Sequence, residues 1–161
     1  MNAICWTRKL ISDFSEIVKK LNLKANIATI ELEELHKLQL SKKGQLARRI
    51  PLDDFNALIT HGGSPILNVI KHYERNDTFP FFLTDTYSFH LDRSLIPTNT
   101  FLCTYYGDSS EILPNSQGKK KLLIPEIRDE LKKLYSGKDA DFESLLSEHF
   151  FDLHFQAEPN A

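Results

Sequence analysis

The sequence predicts an α+β fold, with N-terminal helices packed on an antiparallel sheet. Three observations carry this. Up to about residue 78 the apolar residues recur at helical spacing. From Phe81 to Asp92 they recur at every second position. Helical spacing returns after Pro125, before a last alternating run at Phe151–Gln156. The 161 residues read as a single domain, with a mainly helical part (1–78) and a β-rich part (79–161) carrying two inserted helices.

The elements follow in order. "SDFSEIVKKLNL" has Ser12 as a cap and puts Phe14, Ile17, Val18 and Leu21 on one face. "NIATIEL" offers a short strand, though its two faces do not settle the matter. "ELEELHKLQL" is amphipathic through Leu32, Leu35 and Leu38. "LDDFNALITHGG" predicts a helix capped at Asp53 or Asp54 and stopped at Gly62. "SPILNVIKHYER" predicts another, with Ser64 as cap and Pro65 at its first position.

In the long predicted strand 81–92, the odd positions (Phe81, Leu83, Tyr87, Phe89, Leu91) form the buried face, interrupted by Asp85. A turn at "IPTN" leads to a second strand, "TNTFLCTYY", with Cys103 as a buried thiol. "IPEIRDELKKLYSGK" predicts a helix with Pro125 at its start, Lys132 and Lys133 late, and Gly137 past its end. "DADFESLLSEHFF" predicts a shorter one. "FFDLHFQ" alternates, with Asp152, His154 and Gln156 on its polar side. No closing element follows "AEPNA", so the chain reads as cut short at its C-terminus.

Composition narrows the class. Net charge is −2, with 26% charged residues, which argues against a nucleic-acid partner. The single basic cluster, "GKKKLL" at Gly118–Leu123, reads as a solvated loop. Cys5 and Cys103 share no metal or disulfide spacing and fit free thiols in a reducing compartment. No signal-peptide core is present, and no apolar run approaches the ~20 residues a bilayer requires. These features predict a cytoplasmic protein without a membrane partner.

One motif carries chemistry. In "FHLD", His90 and Asp92 are two apart on a strand, so both side chains leave one face and their tips can meet on one cation. An imidazole and a carboxylate suit a divalent transition metal, and a second histidine from a later strand completes the facial triad of non-haem Fe(II) oxygenases. His154, on the strand-like run 151–156, is the leading candidate for that third ligand, with His149 behind it. An ordinary strand carrying a histidine and an aspartate explains the pair equally well. Arg93 reads as a surface or salt-bridging residue. Tyr87 and Tyr105 read as core aromatics that can also offer hydroxyls to a carboxylate co-substrate. Glu111 in "GDSSE" reads as a supporting carboxylate or a turn cap. Cys103 as a nucleophile beside His90 or His154 lacks any flanking motif. His36, His61 and His72 show no ligand spacing, and no P-loop, GxSxG or GxGxxG occurs.

The blocks "FFLTDTYSFHLDR" and "TNTFLCTYYGDSSE" together resemble an uncharacterised bacterial family that carries FHxD followed by LCTYxGxxSE. That family is similar in layout to the double-stranded β-helix oxygenases that use Fe(II) and 2-oxoglutarate. The likeness covers Phe81–Glu111, and more loosely "IPEIRDELKKLY" and "FFDLHF". It implies a partial jelly-roll or double-stranded β-helix, His90 and Asp92 as metal ligands, and a second block in which Thr104, Tyr105, Gly107 and Glu111 match. Thr104 and Tyr105 are then candidates for holding a co-substrate. The sequence departs from that pattern in lacking a later His-Arg pair, which leaves the third ligand to His154 or outside this chain.

Two functions are therefore expected: an Fe(II)-dependent oxygenase-like enzyme, or a non-catalytic module that keeps the sheet without a complete metal site. The second allows a dimer or a partner at an open sheet edge. A zinc hydrolase using the same pair is a weaker third reading.

Overall fold

A computed structural model describes residues 7–79, 81–92, 96, 98–149 and 151–159. Cys5, Arg93 and Pro97 of the "IPTN" turn lie outside them. The chain divides into two compact units: Met1–His72 with Leu102–Ser109, and Tyr73–Phe101 with Ser110–Ala161.

In the first unit, α1 (Phe14–Lys20) is capped by Asp13 rather than Ser12 and buries Phe14 and Ile17. Strand β1 (Ile27–Thr29) is present, followed by α2 (Leu32–Lys37), whose Leu35 is buried. Helix α3 (Lys42–Thr60) starts far earlier than expected, at a Ser41 cap, and Asp53 and Asp54 lie in its interior. It runs through Pro51, which has no N–H to give the carbonyl one turn back. Gly62, at φ +78°, terminates it as predicted.

The helix expected at 64–75 is replaced by β2 (Asn68–Ile70), antiparallel to β1 in the register Ile27↔Ile70, Ala28↔Val69 and Thr29↔Asn68. The Ser-Pro start signal is local, and it loses to pairing. The Ile30 and Lys71 N–H groups extend the ladder to Leu67 and Asn26 carbonyls at 2.8 and 2.7 Å, and the β-branched Val69 and Ile70 suit a strand. Phe14, Ile17, Ile30, Leu35 and Ala47 form the core.

In the second unit, β3 (Gly118–Lys120) pairs antiparallel with β4 (Phe155–Ala157), in the register Gly118↔Ala157, Lys119↔Gln156 and Lys120↔Phe155. The basic cluster is thus partly strand, not loop, although Lys119 and Lys120 are exposed as expected. Helices α4 (Pro125–Leu134) and α5 (Phe142–Glu148) form where predicted, with Pro125 opening α4. Leu131, Phe142, Leu146, Phe151 and Phe82 make the core, and Phe82 meets Phe151 edge to face at 4.7 Å.

The long strand expected at 81–92 does not form. A turn interrupts it: the Asp85 carbonyl accepts from Ser88 N at 3.2 Å, and its Oδ1 accepts from Tyr87 N at 3.0 Å. An aspartate opening a turn and bonding the backbone two residues on is the common Asx arrangement. The expected division of faces is lost as well. Phe82, an even position, is fully buried (0%), whereas Tyr87 and Leu91 are about half exposed (49% and 51%). The second expected strand, at 98–106, is irregular, and Cys103 is an exposed thiol rather than a buried one.

The α+β class holds, with two small antiparallel sheets and no jelly-roll or double-stranded β-helix among the described residues. No helix among them is long and apolar enough to cross a membrane.

Candidate functional site

The site is built on the segment 153–155. On one side of it, Lys121 N–H donates to the His154 carbonyl at 3.0 Å, continuing the β3–β4 ladder. On the other, residues 89–91 come alongside. Leu91 N donates to Leu153 O at 3.0 Å, and Phe155 N donates to Phe89 O at 2.8 Å. These two bonds flank His90 and His154, which face one another in an antiparallel bridge. A pair enclosed this way is the non-hydrogen-bonded type, whose side chains stand close together on one face. The two imidazole centroids lie 5.7 Å apart. The fold thus brings His154, 64 positions later in the chain, beside the FHLD motif.

Asp92 leaves the same face, as its spacing predicts, with Oδ1 3.6 Å from His90 Nε2. His90 Nδ1 lies 2.7 Å from the Ser88 carbonyl, which can only accept; the Nδ1–H donates there, and in the neutral ring Nε2 carries the lone pair. His154 Nδ1 lies 2.7 Å from Ser88 Oγ. His154 is buried (4% exposed) instead of standing on a polar face. Burial, with the Lys121 ammonium and His90 adding to it, lowers its pKa to about 4, so the ring is neutral at pH 7. Lys121 is itself half-buried, its ammonium 5.2 Å from the Phe82 ring, and burial lowers its pKa too.

His90, Asp92 and His154 line an open groove of about 520 Å³, together with Glu148 and His149 from the end of α5 and Phe79. His149 packs its ring on Phe79 and Phe151 at 5.8 and 5.7 Å.

Does this donor set fit a cation? Metal–ligand bonds of about 2.0–2.2 Å at adjacent positions set donor atoms roughly 3.0–3.6 Å apart. The His90–Asp92 separation of 3.6 Å sits at the edge of that range. The third donor does not complete the set: no three His, Cys, Asp or Glu side chains are arranged to hold one ion among the described residues. The Asp92 side chain is 93% exposed and must turn inward to ligate. Two donors fit, and the full triad does not.

The remaining candidates lie elsewhere. Tyr105 and Thr104 belong to the first unit. The Tyr105 hydroxyl donates to Asp54 Oδ2 at 2.9 Å, Arg8 pairs with the same oxygen at 2.5 Å, and the Tyr105 ring stacks on Phe14 at 5.8 Å. Burial pushes the phenol's pKa up, so it remains a donor. Thr104 is exposed beside it. Tyr87 bonds the backbone of Tyr73 through its hydroxyl and carries Arg75 over its ring at 3.7 Å. Glu111 is exposed on an irregular segment.

Sequence reasoning missed Ser88 and Asp85. Asp85 is buried, accepts from the Tyr87 and Asn76 N–H groups at 3.0 and 3.4 Å, and pairs with Arg75 at 3.6 Å. The available signal was an aspartate on an otherwise apolar face, three residues before a serine. Ser88 with His154 has the atoms of a nucleophile and base. Its hydroxyl, however, is enclosed by the Leu83 and Asp85 carbonyls, each at 3.1 Å, and His154 is a weak base.

Compared with family models, curated proteins and solved structures, the chain matches none. The family resemblance therefore rests on the two sequence blocks alone.

Proposed function

We propose that the chain binds a divalent transition metal at His90 and Asp92, with His154 recruited as third ligand, in a protein of the non-haem Fe(II) oxygenase type. The observation that supports this is the cross-strand pairing of His90 with His154, with Asp92 3.6 Å from His90 Nε2. A metal held by two histidines and one carboxylate keeps open positions for oxygen and a co-substrate. Fe(II) is the expected ion, 2-oxoglutarate the expected co-substrate, and zinc the lesser alternative. On this reading, the strands around 89–91, 118–120 and 155–157 are part of a larger jelly-roll or double-stranded β-helix. A small molecule is one candidate class of substrate, its identity unknown.

A second reading has its own support. Both sheets are two-stranded, and in the β1–β2 sheet no further strand pairs among the described residues, with Ile27 and Ile70 substantially exposed. A binding module would use such an edge to add a partner's strand or a second copy of the chain.

Anaerobic calorimetry with Fe(II) on the wild type, His90→Ala and Asp92→Asn separates these. Micromolar binding that is lost in both variants is expected, with tightening by 2-oxoglutarate. A folded wild type that binds neither Fe(II) nor zinc leaves the module reading.

A further inference from the structure

Ser88 is bonded to both histidines at once, through different atoms. Its carbonyl accepts from His90 Nδ1–H at 2.7 Å, and its hydroxyl lies 2.7 Å from His154 Nδ1. The hydroxyl also faces the carbonyls of Leu83 and Asp85, both at 3.1 Å. A hydroxyl has one proton and two lone pairs, and carbonyls only accept. If the proton went to His154 Nδ1, both carbonyls would face hydroxyl lone pairs at 3.1 Å. If it goes to one carbonyl, only the other is left so, and a lone pair is free to accept from His154 Nδ1–H. The second arrangement is favoured.

We infer that Ser88 is a positioning residue that fixes His90 and His154 together as Nδ1–H tautomers, so that both rings present Nε2 lone pairs on one face. The functional value of this rests on the proposed metal site. Ligating histidines characteristically give their other N–H to an acceptor, which sets ring orientation and tautomer. Here a single turn residue serves both rings, and the Asp85–Ser88 turn that breaks the expected strand places it. Asp85 holds that turn with its carbonyl and Oδ1, and its Oδ2 accepts from Asn76 N–H at 3.4 Å.

The test is the ¹⁵N spectrum of the assigned histidine rings at about pH 8.5, above the ordinary imidazole range, in the whole chain without metal. In the wild type both rings are expected to show a protonated Nδ1 and an unprotonated Nε2. Ser88→Ala removes the hydroxyl but keeps the carbonyl. His154 is then expected to shift to the Nε2–H tautomer while His90 stays unchanged. Ser88→Thr restores the His154 tautomer. A general disturbance of the fold would move both rings alike, so the selective change is diagnostic.

Zinc binding, read by calorimetry, is expected to weaken at least about tenfold in Ser88→Ala and recover in Ser88→Thr. A wild-type His154 protonated at Nε2, or a tautomer insensitive to Ser88→Ala, overturns the inference. The expected tautomers without any zinc or Fe(II) binding would sustain the role of Ser88 and overturn the metal site instead.

Discussion

In the unit built on α1–α3, polar side chains end on other parts of the fold. Glu16 accepts from Ser41 N and Oγ at 2.9 and 2.6 Å and pairs with Lys20 at 3.2 Å, tying α1 to the start of α3. Asp54 takes both Arg8 and Tyr105. In the other unit, His90, Asp92, Glu148, His149 and His154 line an open groove, and in the neutral His90 ring Nε2 carries a lone pair. Closed networks hold structure together; donors left at a groove are available to a ligand. The comparison supports placing the proposed site in the second unit, and shows Tyr105 of "LCTYYG" as part of the first unit's packing.

The largest effect expected from breaking this contrast is in the second core. Phe82→Ala removes the ring that packs between Phe151 and His154, at centroid distances of 4.7 and 6.0 Å. A loss of about 3–5 kcal/mol is expected from emptying such a site. Amide hydrogen exchange should show the protection of residues 118–157 falling while that of α1 and α3 is retained. Equal losses in both units would remove the distinction between them.

Acid sharpens the comparison, since the two units lose stability in different pH windows. His154 is held down to about 4 from an ordinary 6.5, so it is neutral in the folded unit and charged when unfolded in acid. Its contribution is complete above about pH 6.5 and declines as pH falls toward 4, by at most about 1.4 kcal/mol per pH unit. Glu16 is lowered to about 2, chiefly by the Ser41 hydroxyl and N–H, and its contribution declines only from about pH 4.5 downward. Unit-resolved exchange between pH 7 and 4 should show the second unit weakening first. A His154→Gln variant should lose that early decline, and its persistence would assign the decline to another group.

The smallest effect expected is at Ser41. It caps α3 by accepting from Gly44 N at 3.2 Å and also donates to Glu16. Ser41→Ala should cost about 1 kcal/mol, read from denaturant unfolding, and should leave the histidine ring resonances unmoved.

Much of the first unit was legible because its signals are local. The apolar spacing of Phe14 and Ile17, the isolated Leu35 stripe and the positive-φ Gly62 act within a turn or two. The start of α3 was not: Pro51 divides the helix into a half that reads as irregular and a half that reads as a new start. For the site, the FHLD spacing announced that His90 and Asp92 share a face, and the late alternating run pointed to His154. The turn residues that orient them were hidden, because Asp85 and Ser88 sit inside a run whose alternation favours a strand.

The sequence by itself determined the α+β class, the helices around Phe14, Leu35, Leu131 and Leu146, and the shared face of His90 and Asp92. Each follows from side-chain periodicity or capping chemistry within a few residues. Only the tertiary structure decided that 68–70 is a strand, that 81–92 folds through a turn, and that His154 is a buried neutral imidazole opposite His90. Those outcomes depend on which distant backbone supplies a partner and which side chains exclude water. A β pairing spans dozens of residues, so no window of the sequence contains both of its halves.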